Sequence, residues 1–209
     1  MIQVINELIS AILQIAVFTL IPFIVFLFRK NKEVTFSQYI GWHRAPQKSI
    51  NYAIVTSLLF LAGAFVFVLI DEGVRHAVFA SNSVTGKLRL MGFSATSVVI
   101  LLIIALLKTS LSEEIFFRGF IAKRLVNAVG FKQGNILQAL IFGIIHLVLF
   151  WQLTGTTLGP LIGIFAFSTI AGWVVGFIKE ELGNGSIVPG WVAHGLGNMI
   201  SYFLIAFVI

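Results

Sequence analysis

The sequence predicts an all-α fold: a polytopic bundle of about six transmembrane helices, with room for re-entrant or interfacial helices besides. Three observations predict it. Hydrophobic residues fill 58% of the 209 positions and mean hydropathy is +1.02. Charged residues are only 11%, against roughly 25% in soluble domains. Apolar runs near the ~20 residues needed to cross ~30 Å of hydrocarbon recur along the whole chain. The 21 Phe and the absence of Cys disfavour a disordered chain and a secreted disulfide scaffold. The net charge of +6 would suggest a nucleic-acid partner only if the basic residues formed a face; they cluster between apolar runs instead, so no nucleic acid is expected.

The first run, Leu8 to Phe28, has no Lys or Arg before it, and its positive flank (Arg29, Lys30, Lys32) follows it. It therefore reads as a permanent span and not as a cleavable signal. Pro22 within it is expected to kink the helix. Tyr52 to Ile70 is the second span, and Asp71 to Met91, with Ser81, Asn82, Ser83 and Gly86, the longest external loop. Leu90 to Leu107 is the third, less clean, because its pattern continues through Lys108 and a pair of glutamates into IFFRGFIAKRLV. Gly134 to Trp151, Leu158 to Ile178 and Ile187 to Ile209 complete the set. Pro160 and Pro189 sit near two of these starts, where proline is tolerated.

Six spans put residues 29–51, 108–133 and 179–186 on one side. These segments hold eleven of the 14 Lys and Arg, leaving Arg75, Lys87 and Arg89 opposite. The positive-inside rule makes that side cytoplasmic, with both termini outside. No repeat or linker divides the chain, so residues 1–209 read as one integral-membrane domain.

Ionisable residues within apolar segments are costly and point by default to function. Three places show the anomaly. In Ser112-Glu113-Glu114-Ile-Phe-Phe-Arg118-Gly119, Glu114 and Arg118 stand at i and i+4 and can pair, while Glu113 projects about 100° away; cytoplasmic charges on a juxtamembrane helix would read the same way. Phe142-Gly-Ile-Ile-His146 places a histidine deep in the longest stretch without formal charge, where an interhelical hydrogen bond is the plain alternative. His194-Gly-Leu-Gly-Asn198 puts His and Asn on one helix face, and polar glue at a glycine-rich seam would look alike. Trp42, His43 and His76 read as interface and loop residues. The three anomalies together outweigh each alone. Glu113, His146, His194 and Asn198 come from three helices and supply a carboxylate base, an imidazole to position water and donors for an oxyanion, which is what amide hydrolysis needs.

These motifs resemble those of the CPBP family of intramembrane proteases, which includes the type II CAAX prenyl endopeptidases and the Abi or bacteriocin-immunity proteins. The family's E-E-x-x-x-R, F-x-x-x-H and H-x-x-x-N stand here, in family order, as Glu113-Glu114 to Arg118, Phe142 to His146 and His194 to Asn198. The resemblance covers about Leu106 to Ile209; the motif-bearing protease core then runs over about 94–209, and residues 1–93 carry no motif. It implies an endopeptidase in which Glu113 activates water, His146 helps to hold that water, His194 and Asn198 stabilise the oxyanion, and Glu114 and Arg118 support the site as a pair. It leaves metal dependence open, zinc being the candidate and Glu113, His146 and His194 its ligands; Asn198 on the His194 face favours a site without metal. The partners expected are membrane lipid and a peptide or membrane-protein substrate, at a site opening to the cytoplasm near Lys123, Arg124 and Lys132. Two other readings compete. A membrane immunity or scaffold protein would bind a bacteriocin or other membrane partner without cleaving it. A proton-coupled transporter is disfavoured by the lack of an inverted repeat.

Overall fold

The computed structural model describes residues 1–29, 33–154 and 157–209; Lys30 and Lys32, part of the first span's positive flank, lie outside them. The described residues form nine helices and no strand. They are α1 (Ile2–Leu27), α2 (Phe36–Ile40), α3 (Gln47–Ile70), α4 (Glu72–Phe79), α5 (Val84–Met91), α6 (Ala95–Val129), α7 (Phe131–Thr154), α8 (Leu158–Leu182) and α9 (Val188–Phe207). Five of them, α1, α3, α6, α7 and α8, are long and apolar enough to cross a membrane, and the chain is a polytopic helical membrane protein. The sixth expected span, α9, has the length, 20 residues. It is not among the five because His194, Asn198 and three glycines dilute its apolar character.

Local chemistry sets the helix starts. Ser94 and Ser97 form a reciprocal capping box that opens α6, and Thr35 and Gln38 do the same for α2. Pro189 occupies the first turn of α9. The segment 71–91, expected to be a loop, is instead the helix pair α4 and α5. Asp71 Oδ1 accepts from the Val74 amide at 2.9 Å and Ser83 Oγ from the Gly86 amide at 2.9 Å, two N-caps hidden in residues that read as turn formers. The pair buries Val74, Ala77 and Leu88 against the bundle.

The segment 108–133 is likewise helical over most of its length, as the pattern continuing beyond Leu107 suggests. α6 runs unbroken through it to Val129, and Gly130, at φ +81°, turns the chain directly into α7. That φ is a backbone conformation open chiefly to glycine. Lys108, grouped above with the cytoplasmic charges, lies inside the bundle and pairs with Glu7 of α1 at 2.6 Å. Glu113 and His146 stand seventeen and sixteen residues either side of Gly130 in an antiparallel hairpin, so they are level.

Two stretches of α6, Ile103–Leu111 and Glu114–Ala122, are wound as wide π-type turns. Such turns redirect backbone carbonyls, and hydroxyls meet them here. Thr109 Oγ donates to the Ile104 carbonyl at 2.9 Å and Ser110 Oγ to that of Ala105 at 2.6 Å. This matters in a bilayer, where no water is at hand to satisfy the backbone. From α1, the Gln14 amide donates to the Lys108 carbonyl at 2.7 Å. On the other side of α6, α2 packs at Gly119, where a Cβ would come within 2.6 Å of the Ile40 carbonyl.

α7 and α8 form the most extensive helix pair. A buried amide network locks their seam: Asn135 Nδ2 donates to the Trp173 carbonyl at 3.0 Å, and Gln138 Nε2 to the Gly172 carbonyl and to Asn135 Oδ1, both at 2.8 Å. At Gly176 a Cβ would run into Asn135 Oδ1. Gly176→Ala is therefore expected to lower stability by about 1–3 kcal/mol through overpacking, read as a lower melting temperature in detergent. An unchanged melt would show that the seam is not close-packed. Outside these contacts the bundle is greasy: α1 and α3 present rows of exposed Ile, Leu, Val and Phe, as surfaces facing lipid do.

Candidate active site

α6, α7 and α9 bring the three sequence anomalies into one cluster. Glu113 Oε2 lies 3.9 Å from His146 Nε2 and 3.9 Å from His194 Nε2. Glu113 thus has an imidazole from each of two neighbouring helices beside it. His146 Nδ1–H donates to the Phe142 carbonyl at 2.9 Å, which leaves Nε2 of the neutral ring as the face turned to Glu113. Phe142 stacks obliquely on that ring at 4.2 Å between centroids. The F-x-x-x-H spacing is therefore an orienting device: the phenylalanine supplies both a carbonyl and a ring.

Glu114 plays a different part. It is fully buried and lies 3.4 Å from Arg118 Nη1, also buried, as the i, i+4 spacing asks. The guanidinium sits over the Phe142 ring at 4.0 Å, a cation–π contact that compensates some of its lost hydration. His194 Nδ1 lies 3.6 Å from Glu114 Oε1, so the two carboxylates bracket one imidazole. Adjacent helical residues would point about 100° apart; the wide turn that begins at Glu114 narrows this angle and lets both reach His194.

At 3.9 Å the Glu113 separations exceed direct hydrogen bonds, and Glu113 Oε2 is buried with no hydrogen-bond partner among the described residues. One water hydrogen-bonded to both ends would hold them about 4.4–4.6 Å apart, and tetrahedral zinc at ~2.0–2.2 Å would draw its ligand atoms to within roughly 3.3 Å of one another; the spacing here lies between the two. Among the described residues no group of three or more His, Cys, Asp or Glu is arranged to hold a metal ion.

A cavity of about 210 Å³ opens beside the cluster. Glu114, Arg118, His146, His194 and Asn198 line it together with apolar residues of α3 (Phe60, Leu61, Ala64) and α8 (Phe167, Ala171, Val175). Asn198 is held at the wall by α6, its Nδ2 donating to Thr109 Oγ at 3.1 Å and to Ser110 Oγ at 3.3 Å.

All six candidate residues thus converge. Sequence reasoning missed the contribution of α3, which bears no motif yet forms one side of the cavity. It also missed Thr109 and Ser110, which hold Asn198. The signal available was the scatter of small hydroxyl residues, Thr56, Ser57, Thr109, Ser110 and Ser168, inside otherwise apolar spans. Trp42, His43 and His76 stay outside the site, as expected. The His43 carbonyl accepts from Ser186 Oγ at 2.6 Å, tying the 41–46 turn to the α8–α9 connection.

Compared with protein-family models, residues 95–200 match the description Type II CAAX prenyl endopeptidase Rce1-like, which is just over half of the chain. No curated protein and no solved structure matches it.

Proposed function

The chain belongs to the type II CAAX prenyl endopeptidase Rce1-like family, a family of membrane proteases, and from that premise we propose that it hydrolyses a peptide bond of a membrane-associated substrate with water activated by Glu113. The observation that carries this reading is the placement of Glu113 Oε2 at 3.9 Å from both His146 Nε2 and His194 Nε2. A water between them donates one proton to the carboxylate while an imidazole nitrogen fixes its lone pair toward the cavity. Attack forms the bond between the water oxygen and the carbonyl carbon, and the proton Glu113 takes passes to the leaving amine as the C–N bond breaks. His194 and Asn198 border the developing oxyanion. Asn198 serves it by exchanging its longer bond, the one to Ser110, for the substrate oxygen. Glu114 and Arg118 hold His194 and the turn of α6 in place.

The cavity's apolar lining from α3 and α8 suits an apolar portion of the substrate, and the family's printed name makes a lipid-modified cysteine peptide the first substrate to try. In the orientation we favour, the site opens to the cytoplasm and both termini lie outside. The end of the bundle bearing α2 supports this: Arg29 and Arg124 lie over the rings of Phe26 and Tyr39 at 4.1 and 3.8 Å, a basic and aromatic belt of the kind found at cytoplasmic interfaces.

We take the hydrolysis to be independent of metal, because Asn198 on the His194 face suits an oxyanion donor better than a zinc ligand. Purified protein is expected to retain full turnover after exhaustive chelation and to contain well under one zinc per chain. A stoichiometric metal lost together with activity, and restored by zinc, would make Glu113, His146 and His194 ligands instead. The enzyme reading itself is tested by cleavage of internally quenched peptides, with and without a prenylated cysteine, by wild-type protein and a Glu113 variant. If no Glu113-dependent cleavage appears, the alternative of a non-cleaving immunity or scaffold protein gains.

A further inference from the structure

The oxyanion side of this site has a shortage of free donors. Both N–H groups of Asn198 are committed to Thr109 and Ser110, and the His194 ring is bracketed by two carboxylates. The wall formed by α3 offers a group that is not committed. Ser57 is 2% exposed, and its Oγ makes no hydrogen bond among the described residues. It lines the cavity alongside His194, Gly197 and Asn198.

Serine hydroxyls in helices ordinarily fold back onto a carbonyl of the preceding turn. In this chain Ser49 does so, donating to the Pro46 carbonyl at 2.7 Å, as do Thr109 and Ser110. Ser57 does not. The other fully buried hydroxyl oxygens without a partner, Thr19 and Thr169, do not line the cavity; Thr56, Ser168 and Ser201 line it as well, but Ser57 is the hydroxyl set against Gly197, between His194 and Asn198. Gly197 shows how near Ser57 comes to the motif-bearing helix: a Cβ there would stand 3.4 Å from the Ser57 oxygen, so the hydroxyl packs beside the α9 backbone between His194 and Asn198. A buried donor without a partner in water-poor surroundings is strongly driven to bond whatever acceptor enters.

From this geometry we infer that Ser57 is a catalytic residue of the same reaction, donating its O–H to the scissile carbonyl oxygen as negative charge develops there. The inference rests on the hydrolytic reading above. When the water oxygen bonds to the carbonyl carbon and its proton goes to Glu113, the π electron pair moves onto the carbonyl oxygen. Ser57 stabilises that oxygen by a hydrogen bond and transfers no proton. The electron pair returns as the C–N bond breaks, and the bond to Ser57 weakens again. Because a hydrogen bond to a negatively charged oxygen is stronger than one to the neutral carbonyl, the effect of the hydroxyl falls mainly on turnover and little on substrate affinity. Ser57 lies outside residues 95–200, the part matching the family; the donor is supplied by the segment that carries no motif.

The test uses the full chain in detergent with the pair of internally quenched peptides, and compares wild type, Ser57→Ala, Ser57→Thr and Glu113→Gln. Ser57→Ala is expected to lower kcat by about 10²-fold, in line with loss of one oxyanion donor, with KM unchanged and no fall in melting temperature. Ser57→Thr, which keeps the hydroxyl, is expected to recover most of the turnover. If wild type cleaves, Glu113→Gln does not, and Ser57→Ala retains full kcat, the inference is overturned while the hydrolytic reading stands. A rise in KM alone also overturns it, since that marks a ground-state contact. If wild type and Glu113→Gln are indistinguishable on both peptides, the reading falls and the inference with it.

Discussion

Glu113→Gln is expected to abolish measurable turnover, a loss of at least ~10²–10⁴-fold, the range a positioned general base supplies, while the protein melts at or above the wild-type temperature. The amide keeps the side chain's shape but cannot accept the proton of the bound water. Stability should not suffer, because Glu113 Oε2 is buried without a hydrogen-bond partner; removing that charge relieves a cost. Glu114→Gln is the informative contrast. Glu114 and Arg118 are an almost fully buried pair at 3.4 Å, so neutralising one partner strands the other, with a destabilisation of about 3–5 kcal/mol. Whatever Glu114→Gln protein folds should retain some turnover. Equal loss of activity in both variants, with both equally stable, would remove the division of labour between neighbouring carboxylates.

Asn198→Ala is expected to cut turnover by about 10²–10³-fold with little change in KM, as for loss of an oxyanion-hole donor. The competing packing role has its own signature. Asn198 ties α9 to α6 through Thr109 and Ser110, and an interhelical hydrogen bond in a membrane protein averages about 0.6 kcal/mol. If packing is all that Asn198 does, the variant melts slightly lower and turns over normally in the folded fraction. Asn198→Asp separates the two further. A carboxylate fits the seam in size, but it cannot donate to the two hydroxyls, whose own protons go to the Ile104 and Ala105 carbonyls, and it repels an oxyanion. Turnover and melting of both variants in detergent decide the matter, and an active Asn198→Ala would return the third motif to structure.

Much of the molecule could be read before any coordinates. Composition alone determined the solvent: a chain with so few charges and such recurrent apolar runs has to bury its backbone polar groups in helices within lipid. The ionisable residues that break those runs marked the site, because lipid makes each of them too costly to keep without a use. Glu113, Glu114, Arg118, His146, His194 and Asn198 stood out for that reason, and the structure gathers all six. Pairing of Glu114 with Arg118 followed from helical spacing, a property of one segment.

What the sequence could not decide was what depends on several segments at once. The extent of α6 is one case: the pattern continues past Lys108, but only Glu7 of α1 beside it shows how that charge is held, since the cost of a half-buried ammonium depends on whether a partner is near. The level placement of Glu113 and His146 is another, for it requires knowing that Gly130 alone closes the hairpin. The wide turns of α6 leave no local sequence mark, because the hydroxyls and the Gln14 amide that satisfy their carbonyls come partly from elsewhere. Ser57 is the plainest example. In α3 it is one small polar residue in an apolar span, as unremarked as Ser49. Only the approach of α9 at Gly197 and the cavity beside it leave that hydroxyl buried, unpaired and facing the place where the chemistry is proposed. Local periodicity and the cost of burial are written in the order of residues; which surfaces meet is decided by packing, and packing assigns each polar group its partner or leaves it without one.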